Sequence, residues 1–133
     1  MLRVLIADDH AVVRRGLRQV LADESDIKVI GEAQNSQELL TLARRNPCDL
    51  IVLDISMPGR NGLDALKELR KEFPKTAILV LSMYPEDQYA VQAFRAGASG
   101  YLTKESAPEE LVLAIRKVVR GGRYVSATLA EKL

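Results

Sequence analysis

The sequence is poor in the features that mark several large classes of protein. It contains one cysteine, Cys48. No disulfide can form within the chain, and a reducing compartment is expected. It has no excess of either charge: Lys and Arg number 19 against 18 Asp and Glu, a net +1. A dedicated nucleic-acid binder would carry a clear basic excess, and an acidic disordered tail would show the reverse. The first eight residues, Met1 to Asp8, lack the basic start and long apolar run of a secretion signal. No apolar run approaches the roughly 18–20 residues that a membrane span needs. Internal repeats and low-complexity stretches are also missing. What remains is 133 residues, 47% of them hydrophobic. That is enough for one compact domain with a buried core. The expectation is a soluble, cytoplasmic domain that does not meet a membrane.

Short apolar runs recur along the chain: Leu2–Ala7, Ile27–Gly31, Leu50–Leu53, Ala77–Leu81 and Gly100–Thr103. They are rich in Val, Ile and Leu with little alternation, as in strands buried on both faces of a parallel sheet. Helical spacing lies between them. Val12, Val13, Leu17, Val20 and Leu21 share one face of a first helix. Ser36 is the expected N-cap of a second, which carries Leu39, Leu40, Leu42 and Ala43 and closes at Pro47. A third runs from about Leu63 to Glu72, before Pro74. A fourth spans Asp87 to Arg95 and stops at Gly97, a C-terminal glycine. The fifth starts near Ser106, has Pro108 in its first turn and ends at Gly121-Gly122. Strand and helix alternate five times. The predicted fold is α/β: a flavodoxin-like, doubly wound, five-stranded parallel sheet in the order 2-1-3-4-5 with five helices.

The residue that follows each apolar run carries the functional signal. The first run ends in Asp8-Asp9, the third in Asp54, the fourth in Ser82 and the fifth in Lys104. In a parallel sheet these ends share one edge, the edge where open α/β sheets bind ligands. Three carboxylates gathered there repel one another. At about 4 Å and an effective dielectric near 20, each pair costs on the order of 4 kcal/mol before relaxation. A proton or a cation must relieve this, and Lys104 supplies one charge. Mg²⁺ suits the remainder, because it accepts few protein oxygens and keeps sites for water and phosphate. A carboxylate in that setting is a nucleophile for phosphorus. Asp54, alone on a central strand, is the candidate. Asp8 and Asp9 are placed to hold the metal, and Ser82 to donate a hydrogen bond to a new phosphoryl group.

Together, "VLIADDH", "DLIVLDISMPGRNGL", "ILVLSMY" and "GASGYLTKES" resemble the response-regulator receiver family over residues 2–120. The resemblance implies that Asp54 is phosphorylated by a sensor histidine kinase. It implies Mg²⁺ on Asp8, Asp9, Asp54 and the backbone carbonyl of Ser56, with Ser82 and Lys104 on the phosphoryl group. It also implies that Tyr101 is an aromatic switch turning inward as Ser82 moves. "ADDH", "GASGYLTKES" and "GGRYVS" resemble the NarL–FixJ branch, whose members carry a LuxR-type helix-turn-helix. On that likeness residues 1–120 are the receiver. Residues 121–133 begin a linker to a DNA-binding domain that lies beyond Leu133, with transcription as the output and a homodimer possible. The chain is then no enzyme beyond its own phosphorylation and dephosphorylation. One departure stands out: Glu105 follows Lys104 where many receivers have a proline, so a cis bond is not expected there.

Simpler readings compete at several positions. Asp8-Asp9 also suits a helix N-terminus. His10 suits capping or the surface, Cys48 a small core site, and Gly59 and Gly62 a loop before the third helix. Arg14, Arg15, Arg18, Arg116, Lys117, Arg120 and Arg123 read as solvated helix faces. Three rival functions remain: a stand-alone receiver acting by protein binding or phosphorelay, a phosphohydrolase, and a degenerate receiver. Ser56 disfavours the second, because such enzymes place a carboxylate two residues after the nucleophile.

Overall fold

The structure, a computed structural model, describes residues 1–57, 61–84, 86–125 and 131, with only the backbone for 86–88. In chain order the elements are β1 (Leu2–Ala7), α1 (Ala11–Ala22), β2 (Ile27–Ala33), α2 (Ser36–Arg45), β3 (Leu50–Asp54), α3 (Gly62–Glu72), β4 (Ala77–Ser82), α4 (Glu86–Ala96), β5 (Gly100–Thr103) and α5 (Ala107–Val119). All strand pairs are parallel, in the order β2-β1-β3-β4-β5, as the sequence predicts. Gly59 lies outside the described residues.

Strand alternation sorts the apolar side chains between two cores. Leu5, Ala7, Ile51, Leu53, Ile78 and Val80 face α2, α3 and α4. Val4, Ile6, Leu50, Val52, Leu79 and Leu81 face α1 and α5. β3 and β4 are buried along their whole length, so their ends have little freedom.

Helix ends explain one miss. The cap of α2 is Asn35, not Ser36: Asn35 Oδ1 accepts the Glu38 amide at 2.8 Å, and Glu38 Oε1 accepts the Gln34 amide at 2.8 Å. Asn35 is extended, so its side chain reaches forward over the first turn, as a capping residue must. Gly97 does end α4, at φ 115°, a conformation that side chains rarely adopt.

Arg70 ties the opposite edge of the sheet together. Its guanidinium donates to the carbonyls of Gly97, Thr76, Pro74 and Phe73 at 2.7–3.3 Å and to Ser99 Oγ at 3.3 Å. One side chain therefore joins the end of α3, the start of β4 and the turn after α4. Arg70→Met is expected to cost about 3 kcal/mol of unfolding free energy in urea denaturation, because several carbonyls lose a charged donor at once.

Candidate functional site

The acidic edge forms because β1, β3, β4 and β5 all end there. Asp54 and Ser82 are the last paired residues of their strands, Asp54 opposite Leu81 and Ser82 opposite Thr103. The sheet therefore fixes both backbones. Asp8 follows β1 and is tied to β2 by its amide, which donates to Ala33 O at 3.0 Å.

The side chains converge. Asp8 and Asp54 are fully buried, and the Lys104 side chain is 14% exposed. Lys104 Nζ lies 2.9 Å from Asp54 Oδ2 and 3.1 Å from Asp8 Oδ2. Asp54 Oδ1 accepts the Ser56 amide, and Asp8 Oδ1 accepts the His10 amide, each at 2.8 Å. One ligand atom from each of Asp8, Asp9, His10 and Asp54 falls within 4.8 Å of the others. Burial pushes the Asp54 carboxyl above its usual range and the Asp8 charge adds to this; Lys104 and the Ser56 amide only partly offset the rise. Burial also opposes the charge on Lys104, but the two carboxylates outweigh it and hold its ammonium above its usual range.

Lys104 is placed without a special peptide bond. No cis bond occurs among the described residues. The Lys104 amide donates to Ser82 O at 2.8 Å, and Thr103 Oγ1 and Ser106 Oγ bond to each other at 2.9 Å across the turn. Backbone and hydroxyl contacts thus aim the side chain at the carboxylates.

The remaining predicted residues surround this core. Ser82 is fully buried, and its hydroxyl accepts the Tyr84 amide at 3.0 Å. Tyr101 is buried with its ring inward, its hydroxyl donating to Tyr84 O at 3.0 Å. Ser56 is exposed at the rim. A hollow of about 410 Å³ adjoins the site between Ser56, Asn61 and the tilted Tyr84–Tyr89 ring pair. A larger one, about 660 Å³, lies at the far edge beside Arg70 and has no part in this chemistry. Charge, not volume, identifies the site.

Several residues read as bystanders make specific contacts, although His10 stays on the surface as expected, with its side chain 60% exposed. Arg14 is not a solvated face: its side chain is 13% exposed. It donates to Asp8 O at 2.6 Å and to Glu32 Oε1 at 2.9 Å, and Arg18 holds the other Glu32 oxygen at 2.9 Å. The end of β2 thus contributes to the site's support. Arg116 is pinned to Asp26 and Glu24 in the turn before β2. His10 occupies the N-cap position of α1 but makes no capping bond. Its Nδ1 instead lies 3.3 Å from Asp8 and 3.2 Å from Asp9. Cys48 is half-buried against the core, and burial pushes its thiol up to about 11. No helix among the described residues is long and apolar enough to cross a membrane.

A family model described as "Response regulator receiver domain" matches residues 4–116. The chain is 38% identical over its whole length to the response regulator UvrY of Escherichia coli strain K12, and spans 61% of that protein. It superposes with a TM-score of 0.91 and 36% identity on a two-component response regulator of the LuxR family from Aurantimonas sp. SI85-9A1, covering 98% of this chain and 94% of that one. A structure of two RcsB dimers bound to two parallel DNAs matches with a TM-score of 0.88 and 26% identity, over 98% of this chain and 66% of that one.

Proposed function

Because the chain belongs to the response-regulator receiver family, we propose that it accepts a phosphoryl group on Asp54 from a sensor histidine kinase and changes shape in response. The reading rests on one juxtaposition: Asp8, Asp9 and Asp54 clustered at the carboxyl ends of the strands, with the Lys104 ammonium against Asp8 and Asp54.

The residues fit a hard divalent cation. Asp8 Oδ2 and Asp9 Oδ1 are buried without a hydrogen-bond partner among the described residues; the Lys104 ammonium lies 3.1 Å from the first and His10 Nδ1 3.2 Å from the second. Such oxygens are costly unless a cation takes them. Asp8, Asp9, Asp54 and the Ser56 carbonyl would hold Mg²⁺. Bound there, Mg²⁺ supplies positive charge that offsets the carboxylates and the transferring phosphoryl oxygens.

The chain's own groups do the rest. An Asp54 carboxylate oxygen forms a bond to phosphorus as the bond to the donor nitrogen breaks, and the donor imidazole leaves with that electron pair. Lys104 shifts from Asp54 Oδ2 to the incoming phosphoryl oxygens. The Ser56 amide keeps Asp54 oriented through Oδ1. Ser82 turns its hydroxyl proton toward the phosphoryl group; Tyr101, expected to turn inward at this step, already has its ring buried under the Tyr84 carbonyl and stays there. Chemistry in this chain is then limited to its own phosphorylation and dephosphorylation. A cytoplasmic regulator whose further domain binds DNA, as a homodimer, fits the LuxR-family likeness.

Incorporation of phosphoryl from acetyl phosphate, followed by intact mass, tests this reading. One group per chain is expected with Mg²⁺ and none with EDTA; equal labelling in EDTA contradicts it. Removing the metal also has a stability signature. Mg²⁺ should raise the unfolding free energy by about 1.4 kcal/mol for each tenfold excess over the dissociation constant, and the melting temperature with it. Asp9→Asn should blunt that rise in a thermal scan.

A further inference from the structure

The chain does not leave the domain at the end of α5. Gly121, at φ 91°, reverses it, and the Gly122 amide returns to Lys117 O at 3.1 Å, closing the helix with a left-handed glycine turn. Residues 123–125 then run along the open edge of β5. Tyr124 forms a parallel bridge with Gly100: its amide donates to Ser99 O, and its carbonyl accepts from the Tyr101 amide, each at 3.1 Å. This satisfies edge groups that would otherwise stay unpaired.

Side chains anchor the returning segment. Tyr124 is 7% exposed, and its hydroxyl donates to Glu110 Oε1 on α5. The Arg123 guanidinium lies 5.7 Å from the centre of the Phe94 ring on α4, and Val125 packs on the same core as Tyr101. Gly100 permits the approach, since a Cβ there would stand 3.1 Å from Tyr124 Cβ and 2.8 Å from Leu79 Cδ1.

The consequence lies in what Tyr101 joins. Its amide is held by Tyr124, and its hydroxyl holds the Tyr84 carbonyl. The Tyr84 amide in turn donates to Ser82 Oγ. Four residues therefore run in hydrogen-bonded sequence from the exit segment to the hydroxyl beside the acidic cluster. We propose that Tyr124 is a positioning residue for phosphoryl acceptance: docked on β5, it fixes Tyr101 inward and so preorganises the Ser82–Tyr84 turn for the phosphoryl group. This rests on the phosphoryl-accepting reading above. By linkage, occupancy of the site must then strengthen the docking of the exit segment by the same factor.

The test is titration of the 133-residue chain with beryllium fluoride and Mg²⁺, followed by amide NMR, for the wild type, Tyr124→Ala and Tyr124→Phe. Tyr124→Ala should bind beryllium fluoride about five-fold or more weakly, the lower range of measured couplings. Tyr124→Phe, which keeps the ring, should largely restore the affinity. A Tyr124→Ala chain that melts lower but binds as tightly as wild type overturns the proposal, because the role is then structural. A second arm needs no variant: beryllium fluoride should slow hydrogen exchange at the wild-type Tyr101 and Tyr124 amides, and unchanged rates overturn it. No binding by the wild type overturns the phosphoryl-accepting reading itself, a separate result from equal binding by all three chains.

Discussion

Asp54→Asn is expected to abolish phosphoryl incorporation while leaving the fold intact. Treated with acetyl phosphate and Mg²⁺, the wild-type chain should gain the mass of one phosphoryl group and the variant none. The amide is nearly the same shape, and its one oxygen can still accept the Ser56 amide as Asp54 Oδ1 does, while Lys104 keeps Asp8. It lacks the negative oxygen that attacks phosphorus. The same substitution should raise the melting temperature without metal. Burial first, and then the Asp8 charge, hold the Asp54 carboxyl above its usual range. Its ionised form therefore costs the metal-free fold stability, and a neutral isostere removes that cost. Loss of labelling joined to a gain in metal-free stability is hard to obtain from a misfolded variant. A variant that still takes up phosphate, or that melts lower without metal, would argue against the assigned role.

Lys104→Met should produce the second largest effect, with the opposite sign in stability. The ammonium contacts both buried carboxylates, at 2.9 and 3.1 Å. Removing one partner of a buried ion pair typically costs about 3–5 kcal/mol. A loss of about 3 kcal/mol is expected in EDTA, because Asp54 and Asp8 are left facing each other. Mg²⁺ should recover a large part of it, since a cation again meets the carboxylates. Labelling by acetyl phosphate should still fall by about 10²–10³-fold, the usual effect of deleting one charge-stabilising donor. The comparison separates two jobs of the lysine, balancing charge in the resting site and stabilising the transferring group. Equal melting temperatures for wild type and variant in EDTA would show that the first job is not performed.

Much of this arrangement is legible in the sequence for a simple reason. Strands buried on both faces must be apolar throughout, so the first polar residue after each run marks the edge of the sheet. That reasoning places Asp8, Asp54, Ser82 and Lys104 together before any coordinates. It sets the strand ends slightly short, because hydrogen bonding continues past the apolar run. Asp54 and Ser82 are themselves paired, and so are Glu32 and Ala33. Other features have no local signature. Arg14 looks like any charge on an amphipathic helix; its value lies in the Asp8 carbonyl and Glu32, the latter 18 residues away. Arg116 meets Asp26 across 90 residues. Asn35 and Ser36 are both good caps, and only the extended backbone at Asn35 decides between them. The return of Tyr124 to β5 depends on an open sheet edge, which the order of strands creates and no short motif announces.

Reductive trapping goes furthest toward the chemistry at the acidic edge. Sodium borohydride reduces an acyl phosphate to an alcohol, so an aspartate that has accepted phosphate becomes homoserine. Peptide sequencing by mass spectrometry after treatment with acetyl phosphate, Mg²⁺ and borohydride should find homoserine at position 54 alone. Homoserine at position 8 or 9 with Asp54 unchanged, or stable phosphate on a serine, would contradict the assignment of Asp54 as the acceptor.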